Sequence, residues 1–302
     1  MNWIFFSVAA YFLLAVSFVI DKVLLKQRIP HPAVYAFYVA LLSLLALLLA
    51  PWGMHWLGGG LLAISFLGGI FFVYALLFFY QAVKENEISR VAPLIGSITP
   101  VATLLVGLLF DQRFSTFTFT GIGLLVAGGF FISFDLPIRS LKIFRGFLSS
   151  ITSGIFFALA YLAFEYVYRI EGFLNGFIWT RLGLFVGALS LLFVPVFRKN
   201  IINSFKGAKK KKRKNISTVF VFVLNKIFGG GSSVLINFAI SISSASVVNA
   251  LGSVQFVFVL GLAALASLKY SHIFEEKLYF WDWAQKIAAI GIIAIGMFLV
   301  SF

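Results

Sequence analysis

The sequence contains no cysteine, so it can build neither a disulfide framework nor a thiolate metal centre. Its three histidines, His31, His55 and His272, lie far apart in or beside expected loops, and no metal site or other cofactor is expected. Charge is scarce as well: 11% of residues are charged and ten are acidic, too little polar surface to cover a soluble globule of 302 residues. Isolated acids without convergent partners argue against an enzyme of the lipid-processing kind, which needs a cluster of His, Asp or Glu at a membrane face. Alternating polar and apolar strands are missing, which excludes a β-barrel. The first apolar run has no basic stretch before it, so it reads as a retained helix rather than a cleaved signal.

What is present in excess is apolar length. Hydrophobic residues make up 61% of the chain and aromatics 18%, with a mean hydropathy of +1.04. Ten apolar runs approach the roughly 20 residues that span a bilayer: 3–20, 32–51, 61–83, 91–110, 114–134, 147–168, 173–197, 217–242, 246–268 and 280–302. The expected fold is therefore an all-α, polytopic protein of the plasma or inner membrane with ten transmembrane helices.

The chain also repeats itself. At one constant offset Phe12 matches Phe156, Asp21 matches Glu165, Val23 matches Val167 and Pro51 matches Pro195. After a longer loop, Gly96-Ser97 matches Gly252-Ser253, and Asp111-Gln112-Arg113-Phe114 is similar to Glu275-Glu276-Lys277-Leu278. Five spans per half is an odd number, so the second half crosses in the opposite sense, giving two inverted repeats with a site between them. The expected boundaries are 1–136 and 147–302, joined by a linker 137–146, with a basic loop at 198–216. Within that loop 206–214, KGAKKKKRK, reads as a topology determinant lying on anionic headgroups rather than a nucleic-acid patch.

Polar residues inside the spans point to a cavity. In the fourth, Pro93, Gly96, Ser97 and Pro100 share one face, which serves either as a kinked packing surface or as a substrate lining. The ninth repeats that face as Asn249, Gly252, Ser253 and Phe256. In the eighth, Lys226, Gly230, Ser233 and Asn237 form one polar stripe, and Gly229 to Gly231 are expected to interrupt the helix. With Tyr80 and Gln81 from the third span, these faces would line a central cavity for a small solute with an apolar body and a polar head. Lys226 would be the counter-charge for a carboxylate.

The run Ala75, Phe79, Tyr80 and Ala82, a short charged break, Ser89 and a proline-bearing helix resembles the EamA-type branch of the drug/metabolite transporter superfamily. Arg181, early in the seventh span, is similar to an arginine of that branch, and Glu276-Lys277-Leu278 fits its acidic-basic element better than Gln112-Arg113-Phe114. The resemblance implies a transporter, not an enzyme, exporting a small metabolite such as an amino acid by alternating access. A polyprenyl-lipid or lipid-linked-sugar flippase on the same fold is the alternative, and it would require a cavity open sideways to lipid. Glu165 either pairs with Arg169 four residues on or, if transport is proton-coupled, is the expected carrier, flanked by Tyr161 and approached by Arg181, whereas Asp21, beside Lys22 at a membrane edge, would be solvated.

Charge sets the orientation. The odd-numbered loops hold Lys22, Lys26, Arg28, Lys84, Arg90, Arg139, Lys142, Arg145, nine basic residues in 198–214, Lys269 and Lys277, whereas the even ones hold Arg113 and Arg169. The positive-inside rule places the odd loops in the cytoplasm and both termini outside, opposite to the way relatives are drawn. A reporter fused after Phe302 is expected on the non-cytoplasmic side, and a cytoplasmic signal would reverse the assignment.

Overall fold

The computed structural model describes residues 2–29, 31–109, 115–133, 146–207, 212–243, 245–270, 273 and 280–300. The linker 137–146 up to Arg145, the segments Asp111 to Phe114 and Glu275 to Leu278, and the centre of the basic run, 208–211, fall outside them. Among the described residues every regular element is a helix: α1 (Asn2–Gln27), α2 (Pro32–Leu42) with a 3-10 extension (Ser43–Trp52), α3 (Gly59–Glu85), α4 (Ile88–Leu109), α5 (Thr116–Ser133) and α6 (Phe147–Glu171). The chain continues as α7 (Phe173–Ser190) with a 3-10 turn (Leu191–Phe193), α8 (Pro195–Gly207), α9 (Lys212–Ile242), α10 (Ala245–Ala250), α11 (Ser253–Lys269) and α12 (Phe280–Val300). Eight of the described helices are long and apolar enough to cross a bilayer, and Thr116–Gly129 and Val254–Leu268 form shorter apolar stretches.

Three local expectations change. The triple glycine does not interrupt its span, because α9 is continuous from Lys212 to Ile242. Glycine costs about 1 kcal/mol each in helix propensity, less than the several kcal/mol of a backbone group freed in hydrocarbon. The break lies instead in the ninth span, where Leu251 and Gly252 form a turn between α10 and α11. The loop 198–216 is largely helical, divided between α8 and the start of α9. α8 is amphipathic: Ile201 is buried, the Ser204 hydroxyl meets that of Tyr38 at 2.9 Å, and Phe205 packs edge-on against Phe37 and Tyr38.

The helices pack through small residues, as expected where no hydrophobic effect drives helix against helix. α3 lies against α6 and α7, α1 against α9 and α11, α4 against α5 and α6, and α5 against α12. The tightest backbone-to-backbone approach among the described residues is between α3 and α7, where a Cβ on Gly69 would stand 2.1 Å from the Gly183 carbonyl carbon and one on Gly183 would stand 2.4 Å from the Ser65 oxygen. Gly230 on α9 has nothing within 4 Å of that position. Gly69→Ala should therefore destabilise the detergent-purified protein by about 2–3 kcal/mol through backbone overpacking. Gly230→Ala should leave its melting temperature unchanged or raise it, and equal effects at the two positions would contradict this packing.

Candidate functional site

A cavity of about 630 Å³ runs through the middle of the bundle, walled by α1, α2 and its extension, α3, α4, α6, α7 and α9, together with α10, α11 and α12. Its size is that of a small-molecule site. Leu45, Leu48 and Leu49 on the α2 extension and Val223, Ile227 and Val234 on α9 line it while also being exposed. The cavity therefore opens sideways between these two segments, toward the acyl region that a bilayer would place there. The glycine contact of α3 with α7 leaves no comparable opening at that pair.

One polar pole of the wall is built on α1 and α9. The packing of these helices brings Lys226 Nζ to 2.9 Å from Asp21 Oδ1. The same carboxylate accepts hydrogen bonds from the Tyr35 hydroxyl and the Asn225 amide. The ammonium also sits over the rings of Tyr35, Phe222 and Tyr80, with centroids at 4.7, 5.4 and 5.7 Å. A lone lysine at this depth costs several kcal/mol, and the carboxylate and aromatic faces offset that cost.

A second pole lies on α7. The guanidinium of Arg181 is buried and stacked among Phe177, Phe164 and Phe72, with centroids at 4.4, 5.6 and 5.8 Å. Its Nε and Nη2 make no hydrogen bond.

Beyond the cavity, a buried charge network joins the starts of α4 and α12 to the end of α5. Arg90 pairs with Glu87 at 3.0 Å and with Asp282. Lys286 reaches Glu87 at 2.8 Å and Asp282 at 2.9 Å, while Arg90 Nη1 donates to the Ile132 carbonyl at 3.3 Å. Nearby, Lys22 donates to the Val83 carbonyl at 2.7 Å. These groups sit at the odd-loop end and close the bundle there.

Residues 1–134 match the EamA-like transporter family. Members of that family are transporters rather than enzymes, and the match agrees with the resemblance carried by Ala75, Phe79, Tyr80 and Ala82. No curated protein matches the chain. A crystal structure of a protein aligns over 99% of this chain and 96% of its own with a TM-score of 0.56 at 14% identity, a likeness of fold. The first 134 residues are thus similar to EamA-like transporters, and the described chain as a whole is an all-α protein with several membrane-length apolar helices.

Of the residues expected to line a cavity, Tyr80, Gly96, Lys226, Ser233, Asn237 and Asn249 stand in its wall, with Asp21 and Arg181. Gln81 points outward on the far face of α3. Ser97 is buried beside Gly129 and donates to the Leu94 carbonyl at 2.8 Å. The side chain of Ser253 is outside the described set. On the fourth-span stripe, Gly96 and Pro100 line the cavity, and Gly96 also forms the notch that receives the Phe256 ring.

The acids exchange their expected places. Asp21 is not solvated at a membrane edge; α1 continues to Gln27, which carries it inside the bundle, where it is 2% exposed. Glu165 pairs with Arg169 one turn on, accepts from the Ala245 N–H at 3.1 Å, and is absent from the cavity wall. Its expected approach by Arg181 is not found. The network on Arg90 and Lys286 was missed in the sequence, although Glu87/Arg90 at i,i+3 and Asp282/Lys286 at i,i+4 were its visible signal.

Either Asp21→Asn or Lys226→Met alone would strand a buried charge, and each should cost about 3–5 kcal/mol of stability. The double substitution should recover most of that loss. Additive losses in a melting-temperature cycle would show that the pair is not the stabilising unit.

Proposed function

We propose that the protein moves a small organic metabolite, an amino acid or related solute, outward across the membrane by alternating access between two inverted five-helix repeats. The central cavity carries this reading: it is small-molecule sized, mostly apolar, and furnished with a few fixed polar groups. The packing pattern supports the repeats. Exchanging the first five spans with the last five turns the α3–α6 contact into α9–α1, the α4–α6 contact into α11–α1, and leaves α5–α12 unchanged. The break between α10 and α11, beside the α4 notch, is a natural pivot.

A lipid-linked substrate is the second reading, and the opening between the α2 extension and α9 favours it. A cavity of about 630 Å³ would hold only the headgroup of such a lipid, leaving the chain to pass through the side window. Proteoliposomes separate the two. Counterflow of a labelled metabolite supports the solute reading, whereas accelerated translocation of a fluorescent polyprenyl lipid without solute counterflow would replace it.

For proton coupling, Asp21 is the acid placed to serve, because its protonation would free Lys226 inside the cavity. In liposomes loaded with a pH dye, Asp21→Asn should abolish solute-driven proton flux while Glu165→Gln retains it. The reverse pattern would restore Glu165, and no flux in the unmodified protein would mean gradient-driven transport.

A further inference from the structure

We propose that Arg181 is a receptor for a planar oxyanion, holding the carboxylate of the solute side-on through Nε and Nη2. The inference rests on the small-solute reading above and specifies the chemistry of the cargo.

The first support is geometric. Nε and Nη2 lie on one edge of the guanidinium, and their N–H vectors run parallel at the spacing of two carboxylate oxygens. Both atoms are buried without a hydrogen-bond partner, and the side chain is 5% exposed while lining the cavity. The three phenylalanine faces attract the cation through their ring faces without consuming an N–H donor. They hold the group in place and leave its hydrogen-bonding edge unused. Tyr168 is placed to hydrogen-bond the guanidinium and Tyr161 interacts with its charge, but a phenol is neutral and cannot balance that charge.

The second support is charge balance. Among the described acids, Asp21 is engaged by Lys226, Glu87 and Asp282 by Arg90 and Lys286, Glu165 by Arg169, and Glu171 by His55. Glu85 is exposed at the end of α3. The cavity wall therefore contains a neutral Asp21–Lys226 pair and one uncompensated positive charge at Arg181. A single anionic head would complete it.

The third support is the sense of the other unpartnered wall atoms. Asn249 Nδ2 and Gln255 Nε2 are buried amide nitrogens without acceptors, the Ser232 hydroxyl, which can donate or accept, is also unpartnered, and all three residues line the same cavity. A donor-rich, net-positive wall suits an acceptor-rich head. Asp21, the one described acid in the wall, takes three hydrogen bonds on Oδ1 and has its charge balanced by Lys226, so an ammonium group would meet a carboxylate that is already paired. The favoured cargo is thus an amphipathic monocarboxylate rather than a free zwitterionic amino acid.

Four probes that share one body and differ in the head test this: 3-phenylpropanoate, 3-phenylpropanamide, L-phenylalanine and phenethylamine. Thermal stabilisation of detergent-purified protein reads their affinities. The propanoate should bind at least tenfold more tightly than the amide or the amine, with L-phenylalanine between them. Arg181→Lys keeps the charge but loses the fork, and should reduce propanoate affinity about tenfold, read as the ligand-induced shift from the variant's own melting temperature. Arg181→Gln should abolish the preference for the anion. The head-group preference is measured on unmodified protein, so it remains informative if the Gln variant fails to fold. If the amide or amine binds as well as the propanoate, or if Arg181→Lys binds the propanoate as tightly as the unmodified protein, the receptor role is overturned while a solute cavity stands. If neither these probes nor a wider metabolite library stabilises the protein, the small-solute reading falls with it.

Discussion

A charge inside a hydrocarbon-embedded bundle must be answered by an opposite charge, a dipole or water, and this constraint arranges most of the polar chemistry of the chain. Asp21 and Lys226 tie α1 to α9. The four-charge network ties α4 to α12 and α5. Each link is a contact that breaking one partner would penalise heavily, so together they fix which helices neighbour which. The apolar contacts then tighten the arrangement through glycine. Among the described residues of the cavity wall, Arg181 has aromatic faces but no acidic partner to answer its charge.

The helical fold was legible because it depends on length and composition. A run such as 61–83 can only be a span, and α3 covers it with a few residues to spare. The boundaries were less legible where charged residues sit near run ends. Asp21 and Lys22 read as a loop start because sequence alone does not reveal their partners, Lys226, Tyr35 and the Val83 carbonyl, which lie far away in the chain. Once those partners exist, burying the pair is tolerable and α1 runs on to Gln27, about two further turns.

The cavity was partly legible for the same reason. Periodicity identifies which residues share a helix face, so Gly96, Lys226, Ser233, Asn237 and Asn249 could be grouped before their surroundings were known. It does not say which face of a polar stripe is already satisfied. Asn237 accepts from the Tyr168 hydroxyl at 2.9 Å and donates to the Ser233 carbonyl at 2.7 Å, so that part of the stripe is internally bonded. Gln81 fails by the other route: it lies one position past Tyr80, and one position on a helix turns a side chain by about 100°.

The window between the α2 extension and α9 gives the bilayer itself a part in the binding equilibrium. Leu48 and Ile227 are exposed while lining the apolar cavity, so in a bilayer acyl chains would stand beside it and a chain terminus could enter. Occupancy by cargo is then an exchange against lipid rather than the filling of a void. The measured affinity becomes a property of protein and membrane together, falling as acyl chains become more mobile and better able to enter. Detergent tails compete in the same way, so the length of the detergent belongs in the binding constant as much as the solute does.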